Sequence, residues 1–408
     1  MSVVAFFLLQ CFILVLSWDT FTNLPFLGSI PRLVGLAASA VGLLHILARK
    51  SVRPLSWFHL FAILFVVWTG VSNFWSIDPE ATRTRFLTYL QLAVLVWLIW
   101  EIAWPPERQQ SLLRAYVLGS CVAAVLTIYN YHSGDAWRAG LFAEPTRFVA
   151  MKQDPNELGL ILALGIPMAW YVGLSQPHRR LAVAWLLYLP LAITAILLTA
   201  SRGAVITMMV ALLIIPVTLG RLRLRTGLAV FALAVGSLAL AASVAPEKSL
   251  ERIASMGSDI EAGSFGGRAR LWRAGLEVAQ EHPLVGVGAG AFGAAIEPLF
   301  TGQTYETERE SSHNVLLAIL VEDGVVGLLL FIAMVTAAME PLRHLPPFQR
   351  RFSIVLLSAL AVGSWSLHWD HRKQLWFVLG MVAVQLANRS QSAVVGEPEA
   401  ETVPDVST

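Results

Sequence analysis

The chain has 408 residues, of which 56% are hydrophobic and only 14% are charged, and its mean hydropathy is +0.65. Soluble domains carry about 25% charged residues, so this composition excludes an ordinary soluble enzyme and indicates an integral membrane protein. The net charge of +2 says little, because in a membrane protein the charge of each loop matters more than the sum. No nucleic-acid partner is expected.

Apolar runs follow one another along the chain, beginning with Val3–Trp18, which we expect to be retained as a first span. A helix needs about 20 residues to cross a bilayer, and fewer where loops dip into the headgroups. The sequence therefore predicts an all-α integral membrane fold with about 12 transmembrane helices. The predicted spans are 3–18, 32–48, 55–72, 86–100, 111–129, 158–174, 181–199, 204–219, 227–245, 315–338, 352–367 and 375–386.

Basic clusters follow the second, sixth, eighth, tenth and twelfth predicted spans. Because cytoplasmic loops carry an excess of Lys and Arg, both termini are predicted to be cytoplasmic. Residues 1–389 would form one polytopic domain, with a large outward-facing loop at 246–312 between spans nine and ten. Intervals 131–157 and 368–373 would face the same side. The acidic residues 390–408 are predicted to be a disordered cytoplasmic tail.

Arginines are predicted at two helix starts on the outward-facing side. Ser201 can cap the helix that follows it, where Arg202 adds a fixed cation. In 266–281, apolar residues alternate with charges at helical spacing, which predicts a helix lying along the membrane surface with Arg268 and Arg270 in its first turn. Guanidinium groups suit phosphate. The alternative is that these arginines only anchor the chain to lipid headgroups.

His313 opens the tenth apolar run, and Glu322-Asp323 interrupts that run further on. Carboxylates inside an apolar segment are costly unless they line a wet cavity or form pairs. We therefore predict a short cavity-lining helix from about His313 to Val321, with the true span beginning at Gly324. A histidine in such a pocket suits proton transfer. The alternative is a structural histidine with satisfied hydrogen bonds.

Other polar segments on this side have simpler interpretations. Residues 154–157 are predicted to start a helix, with Arg147 upstream, and His282 before Pro283 is predicted to be a turn residue. Residues 368–371 (His-Trp-Asp-His) have the types that bind metals, but their compactness favours a polar turn. The chain has no HExxH motif, no paired-cysteine motif and no phosphate-binding loop, so neither a metal nor a cofactor is expected.

Taken together, these motifs resemble the O-antigen ligase/polymerase superfamily. The similarity covers about residues 55–385, and its specific motifs are concentrated in 150–330. The residues that carry it are Ser201-Arg202-Gly203, Gly267-Arg268-x-x-x-Trp272, His282-Pro283-Leu284-x-Gly286-x-Gly288, His313-Asn314, Glu322-x-Gly324-x-x-Gly327 and, at an earlier span, Asp154-Pro155-Asn156.

The resemblance implies a GT-C-like enzyme of the bacterial inner membrane, so that the outward-facing side is periplasmic. It also implies that the large periplasmic loop, 246–312, contains short amphipathic helices. It implies metal-independent, inverting transfer of a glycan from undecaprenyl diphosphate to an acceptor hydroxyl at the periplasmic face. Arg202 and Arg268 would bind the diphosphate, and His313 would act as the base at the acceptor. Further residues expected to bind the lipid diphosphate or the glycan are Arg147, Asn156, Arg270, Asn314 and Glu322.

The resemblance leaves the acceptor open. The first expectation is an O-antigen ligase that uses a lipid A-core sugar, and the alternatives are an O-antigen or exopolysaccharide polymerase, or a protein O-glycosylating relative. Ligases often carry a second histidine beside the equivalent of His313, whereas Ser311 and Ser312 precede it here. A more distant alternative is a transporter or flippase of lipid-linked sugar. The ionisable residues gather at the outer face rather than the midplane, which favours an enzyme.

Overall fold

A computed structural model describes residues 2–18, 23–24, 28–137, 147–151, 153–218, 246–255, 268–300 and 312–387, together with residues 232, 235, 236, 239 and 243. Helices dominate this part of the chain. The two strands found there, Asn23–Leu24 and Gly28–Ser29, form one short antiparallel pair. In chain order the helices are α1 (Ser2–Val15), α2 (Ile30–Arg49), α3 (Trp57–Val71), α4 (Pro79–Ile102), α5 (Pro106–Ser133), α6 (Pro155–Leu174), α7 (Arg179–Leu186), α8 (Tyr188–Leu198), α9 (Arg202–Leu212), α10 (Ile214–Thr218), α11 (Glu247–Ala254), α12 (Arg268–Glu281), α13 (Phe292–Ile296), α14 (Val315–Ala338), α15 (Pro347–Ser364) and α16 (Lys373–Ala383).

Seven helical segments of the described residues are long and apolar enough to cross a membrane, and three shorter apolar helices accompany them. This architecture fits an all-α, multi-pass membrane protein. The count of twelve spans stays a prediction. The predicted ninth span, 227–245, lies almost wholly outside the described residues, as does the predicted disordered tail, 390–408.

The fourth span begins earlier than the predicted residue 86. The Asp78 side chain accepts a hydrogen bond from the Ala81 N–H at 3.0 Å, and Pro79 occupies the first turn of α4. A capping aspartate followed by a proline is a strong helix start, because it satisfies free N–H groups and fixes φ. The correction brings Arg85 inside the helix.

Helix α6 is the central element of the bundle, and nearly all of its residues are buried. Small residues let membrane helices approach closely, and here a Cβ on Gly159 would lie only 2.3 Å from the Cβ of Ala204. This close packing of α6 against α9 brings the starts of the two helices together. The end of the bundle that carries the starts of α6, α9 and α14 is called the site face below.

The predicted interruption of the tenth span is present. Helix α14 breaks at Gly324, whose φ of 68° and ψ of −170° are non-helical. The loop after α12 fills the break: Val325 N–H donates to the Pro283 carbonyl at 2.9 Å and Gly288 N–H donates to the Glu322 carbonyl at 2.9 Å. A Cβ on Gly324 would lie 2.2 Å from the Leu284 carbonyl oxygen, so only glycine fits there. The break thus fixes α12 against α14.

Candidate active site

The starts of α6 and α9 are joined by side chains predicted to bind substrate. The Asn156 side-chain oxygen accepts hydrogen bonds from the Ser201 hydroxyl and from Arg147, both at 2.9 Å. Arg147 also donates to the Thr199 carbonyl at 2.8 Å and is only 7% exposed. Arg147 and Asn156 therefore hold the turn that presents Arg202.

The short connection between α8 and α9 has the predicted cap. The Ser201 hydroxyl accepts from the Ala204 N–H at 3.3 Å, as expected for a helix N-terminus. Arg202 donates to the Arg252 carbonyl and to the Ser255 hydroxyl, each at 2.7 Å. These two bonds attach the end of α11 to the start of α9.

Four arginines at the site face interact electrostatically, and they are called the arginine cluster: Arg147, Arg202, Arg252 and Arg268. Burial and the positive charges of Arg252 and Arg268 lower the pKa of Arg147 to about 10, although Asp154 acts in the opposite direction. Burial also lowers the pKa of Arg268, and Arg202 and Arg252 lower it further against Asp154. Guanidinium groups gathered beside Asp154 in this way form a favourable environment for an anion.

Arg252 of this cluster was not predicted. Its helix, Glu247–Ala254, is strongly amphipathic, with apolar Leu250 between the charged residues. That pattern could have identified a second surface helix. Its contact with Arg202 depends on the tertiary fold, which the pattern does not contain.

The helix predicted over 266–281 is present as α12, while its position along the membrane surface stays a prediction. The arginines of α12 differ in environment. Arg268 is partly buried, whereas Arg270 is exposed and its guanidinium lies 4.5 Å from the centre of the Phe300 ring. Trp272 donates from its indole nitrogen to the Ser312 carbonyl at 2.9 Å. This bond ties α12 to the segment that carries His313.

His313 lies two residues before α14, ahead of the capping residue Asn314, and its backbone is in the left-handed region with φ of 46°. Such a conformation costs a non-glycine residue about 1–2 kcal/mol, and local hydrogen bonds maintain it. The Asn314 side chain caps α14 by accepting from the Leu317 N–H at 3.0 Å, and the Ser312 hydroxyl donates to the Asn314 carbonyl at 2.8 Å. Asn314 thus positions His313 through the backbone.

The electrostatic surroundings of His313 favour a neutral imidazole. Burial, together with nearby Arg268 and His368, lowers the pKa of His313 to about 4, although Asp154 acts in the opposite direction. Its Nδ1 atom is buried and has no hydrogen-bond partner among the described residues. At neutral pH this side chain can accept a proton.

A second group of charged residues lies beside the first and is called the Arg85 network: Arg85, Glu322, His368 and Asp370. Arg85 Nη1 lies 2.9 Å from Asp370 Oδ2, 3.4 Å from Glu322 Oε2 and 3.3 Å from His368 Nε2. Both carboxylates are essentially inaccessible. The network links α4, α14 and the loop before α16.

Sequence reasoning missed Arg85 because the predicted span began one residue later. The structure brings Glu322, a predicted substrate-binding residue, to Arg85, with a side chain only 1% exposed. A direct contact of Glu322 with a glycan stays a prediction.

Three members of one loop have the types that bind metals. His368, Asp370 and His371 offer ligand atoms within 4.8 Å of one another. However, the Arg85 guanidinium already lies 2.9 Å from Asp370 Oδ2 and supplies a positive charge there. A divalent cation at this position would be repelled by Arg85, so the residues fit an ion-pair network better than a metal site.

An apolar cavity of about 410 Å³ runs between α14, α15 and α16. One end is lined by Val315 and Leu316, directly after His313-Asn314, and by Ser364 and Trp365 at the end of α15. The other end is lined by Met339 and Leu342. The cavity is therefore lined by the first residues of α14, next to His313-Asn314, and by the C-terminal part of that helix.

Comparison with known protein families supports the resemblance over part of the chain. The sequence model described as O-antigen ligase matches residues 187–332. That region contains Arg202, Arg252, Arg268 and His313 and excludes Arg85 and the loop before α16.

The chain is also similar to a protein named exopolysaccharide production protein ExoQ, from Rhizobium meliloti (strain 1021). The two are 26% identical over 314 residues, which cover 70% of this chain and 66% of the relative. The chain thus spans just under two thirds of the length of this curated relative.

Proposed function

From the resemblance to the O-antigen ligase/polymerase superfamily, which both comparisons support, we propose that the protein is a membrane glycosyltransferase. It transfers a glycan from a polyprenyl diphosphate, undecaprenyl diphosphate in bacteria, to an acceptor hydroxyl. The reaction takes place at the site face, which we assign to the periplasmic side of the inner membrane.

The observation that carries this proposal is the arginine cluster beside a neutral histidine. A departing lipid diphosphate develops negative charge, and preorganised guanidinium groups stabilise that charge. Arg202 and Arg268 are the direct ligands in this scheme, because both are only partly buried. Arg147 and Arg252 add positive potential. The arginines perform the role that a metal ion has in many glycosyltransferases.

His313 serves as the base. The acceptor hydroxyl attacks the anomeric carbon from the side opposite the diphosphate, its proton passes to His313, and the configuration inverts. General-base assistance of this kind contributes about 10²–10⁴-fold to the rate. Asn314 and Ser312 act indirectly, since they fix the backbone conformation at His313.

The apolar cavity between α14, α15 and α16 accommodates part of the polyprenyl chain of the donor. Its lining is almost entirely hydrocarbon, and one end lies beside His313-Asn314. Thr336 lines the cavity, whereas Leu329 on the same helix is exposed and does not. Thr336→Trp should raise the KM for the donor and Leu329→Trp should leave it unchanged. An equal KM in the two variants would mean that the polyprenyl chain of the donor does not bind in this cavity.

The two comparisons favour different acceptors. The named function of the relative, exopolysaccharide production, favours a polymerase that joins lipid-linked repeat units. The O-antigen ligase model favours transfer to a lipid A-core sugar.

The test is glycan joining in proteoliposomes with a radiolabelled lipid-linked repeat unit, with and without lipid A-core, in the presence of EDTA. A polymerase makes a ladder of products from repeat units alone. A ligase makes product only when lipid A-core is added. If EDTA abolishes glycan joining and added magnesium or manganese restores it, the metal-independent mechanism is contradicted. If no glycan is joined under any of these conditions, the assignment as a glycosyltransferase is contradicted.

A further inference from the structure

A second cationic pocket lies at the site face, outside the region that the O-antigen ligase model matches. It has a volume of about 340 Å³ and is formed by α1, α2, α4 and the start of α16. Three of its lining residues are cationic: Arg32, Arg372 and Lys373. His371 also lines it and is neutral, because burial lowers the pKa of His371 to about 3. Among the described residues that line it, none is acidic.

The pocket is close to the proposed reaction centre. Arg372 forms an ion pair with Glu157, which follows Asn156 in the first turn of α6. On the other side, His371 Nδ1 lies 3.5 Å from Asp370 Oδ2 of the Arg85 network. The pocket therefore adjoins the arginine cluster through α6 and the Arg85 network through the loop before α16.

The polar lining continues into the membrane-spanning helices. Ser39 of α2 and Thr88 and Gln91 of α4 line the pocket, and all three belong to candidate membrane spans. The Thr88 hydroxyl donates to the Thr84 carbonyl at 2.9 Å. Ser39 and Gln91 would be costly within a bilayer unless they faced a polar cavity or a ligand. Phe12 and Leu36 provide an apolar wall beside them. A ligand with an anionic group and an adjoining hydrocarbon chain matches both parts of this lining.

We propose that this pocket, with Arg32 and Lys373 as its principal cations, binds the phosphate group of a second lipid substrate, the lipid-linked acceptor. The proposal rests on the proposed function. The donor diphosphate is then bound by the arginine cluster, and the phosphate group of the acceptor is bound by this pocket at the start of α16. With two anchored lipids, the acceptor hydroxyl and the donor meet between the two sites.

The test counts bound lipids by native mass spectrometry of the detergent-solubilised full-length protein, with undecaprenyl diphosphate as the probe. The pocket variant is Arg32→Gln/Lys373→Gln, and the cluster variant is Arg202→Gln/Arg268→Gln. Arg83→Gln is the matched control, because Arg83 is an exposed arginine near the start of α4 that does not line the pocket. Each cation near a membrane surface contributes roughly fivefold to the binding of an anionic lipid, so the pocket variant should weaken one site by about tenfold or more.

We expect two bound lipids for the wild type and for Arg83→Gln, and one for each double variant. Two lipids bound to the pocket variant with wild-type affinity would overturn the proposal. Displacement of the pocket lipid by equimolar phosphatidylglycerol would also overturn it, since the pocket would then be a general phospholipid site.

Failure of the proposed function gives a different result. In one such case the wild type joins no glycan, but the cluster variant still binds one lipid. If adding Arg32→Gln/Lys373→Gln to the cluster variant then removes that lipid, the pocket proposal stands and the enzyme assignment fails. If the wild type joins glycan and the pocket variant keeps the wild-type KM for the acceptor, the pocket proposal fails and the enzyme assignment stands.

Discussion

Arg202 and Arg268 are held differently although both are assigned to the diphosphate. Arg202 is fixed by hydrogen bonds to the Arg252 carbonyl and the Ser255 hydroxyl. Arg268 is held by burial in the first turn of α12. The planar guanidinium can contact two phosphate oxygens at once, and a lysine ammonium cannot do so in the same way.

Replacing either arginine by lysine is therefore expected to impair the reaction. Arg202→Lys and Arg268→Lys should each lose about 1.5–3 kcal/mol of stabilisation, an order of magnitude or more in turnover. Steady-state kinetics in proteoliposomes measures this, with Arg83→Lys as the control. Wild-type turnover in both variants would mean that the two arginines only anchor the chain to lipid headgroups.

The pH dependence of the reaction reports on His313. Because its pKa is lowered to about 4, the imidazole stays neutral as the pH falls from 7 to 5, and activity should be lost only as the pH approaches 4. The acid limb of kcat/KM therefore lies well below the ordinary histidine value of about 6.5. Substituting Arg268 by Gln removes one of the positive charges that lower the pKa of His313, and it should therefore move the acid limb of kcat/KM to higher pH. An acid limb at pH 6.5 in the wild type would contradict the buried, positively charged environment.

At the scale of elements, the Arg85 network joins three helical segments through buried charges. Removing one partner of such a group leaves the others uncompensated, at a cost of about 3–5 kcal/mol. Arg85→Gln is therefore expected to lower the melting temperature of the detergent-solubilised protein strongly. Arg83→Gln, two residues earlier on an exposed part of α4, should change it little. Equal melting of the two variants would mean that Arg85 does not hold these elements together.

The sequence predicted those elements whose signals are local. The cap at Ser201, the helix over 268–281 and the break at Gly324 all follow from patterns within a few residues. The Arg85 network was missed because Arg85, Glu322 and Asp370 are far apart in the chain, and only helix packing brings them together. Arg252 was missed for the same reason. Long-range charge pairs cannot be derived from periodicity.

At the scale of the whole molecule, the orientation of the protein in the membrane is a further prediction: the site face is periplasmic and the loop before α15 is cytoplasmic. A cysteine in place of His282, on the exposed end of α12, should react with an impermeant maleimide from the periplasmic side. A cysteine in place of His344, in the exposed loop before α15, should react only from the cytoplasmic side. The background should have Cys11 and Cys121 replaced by serine. Labelling of both positions from one side would contradict the orientation.

The most direct test of the mechanism compares two histidines in proteoliposomes with lipid-linked glycan. His313→Ala should lose about 10²–10⁴-fold in turnover and still bind the lipid diphosphate, because the arginine cluster remains. His282→Ala should keep wild-type turnover, since His282 is exposed just beyond α12. If His313→Ala keeps most of its turnover, the histidine is structural, and positioning by the arginines alone accounts for the reaction.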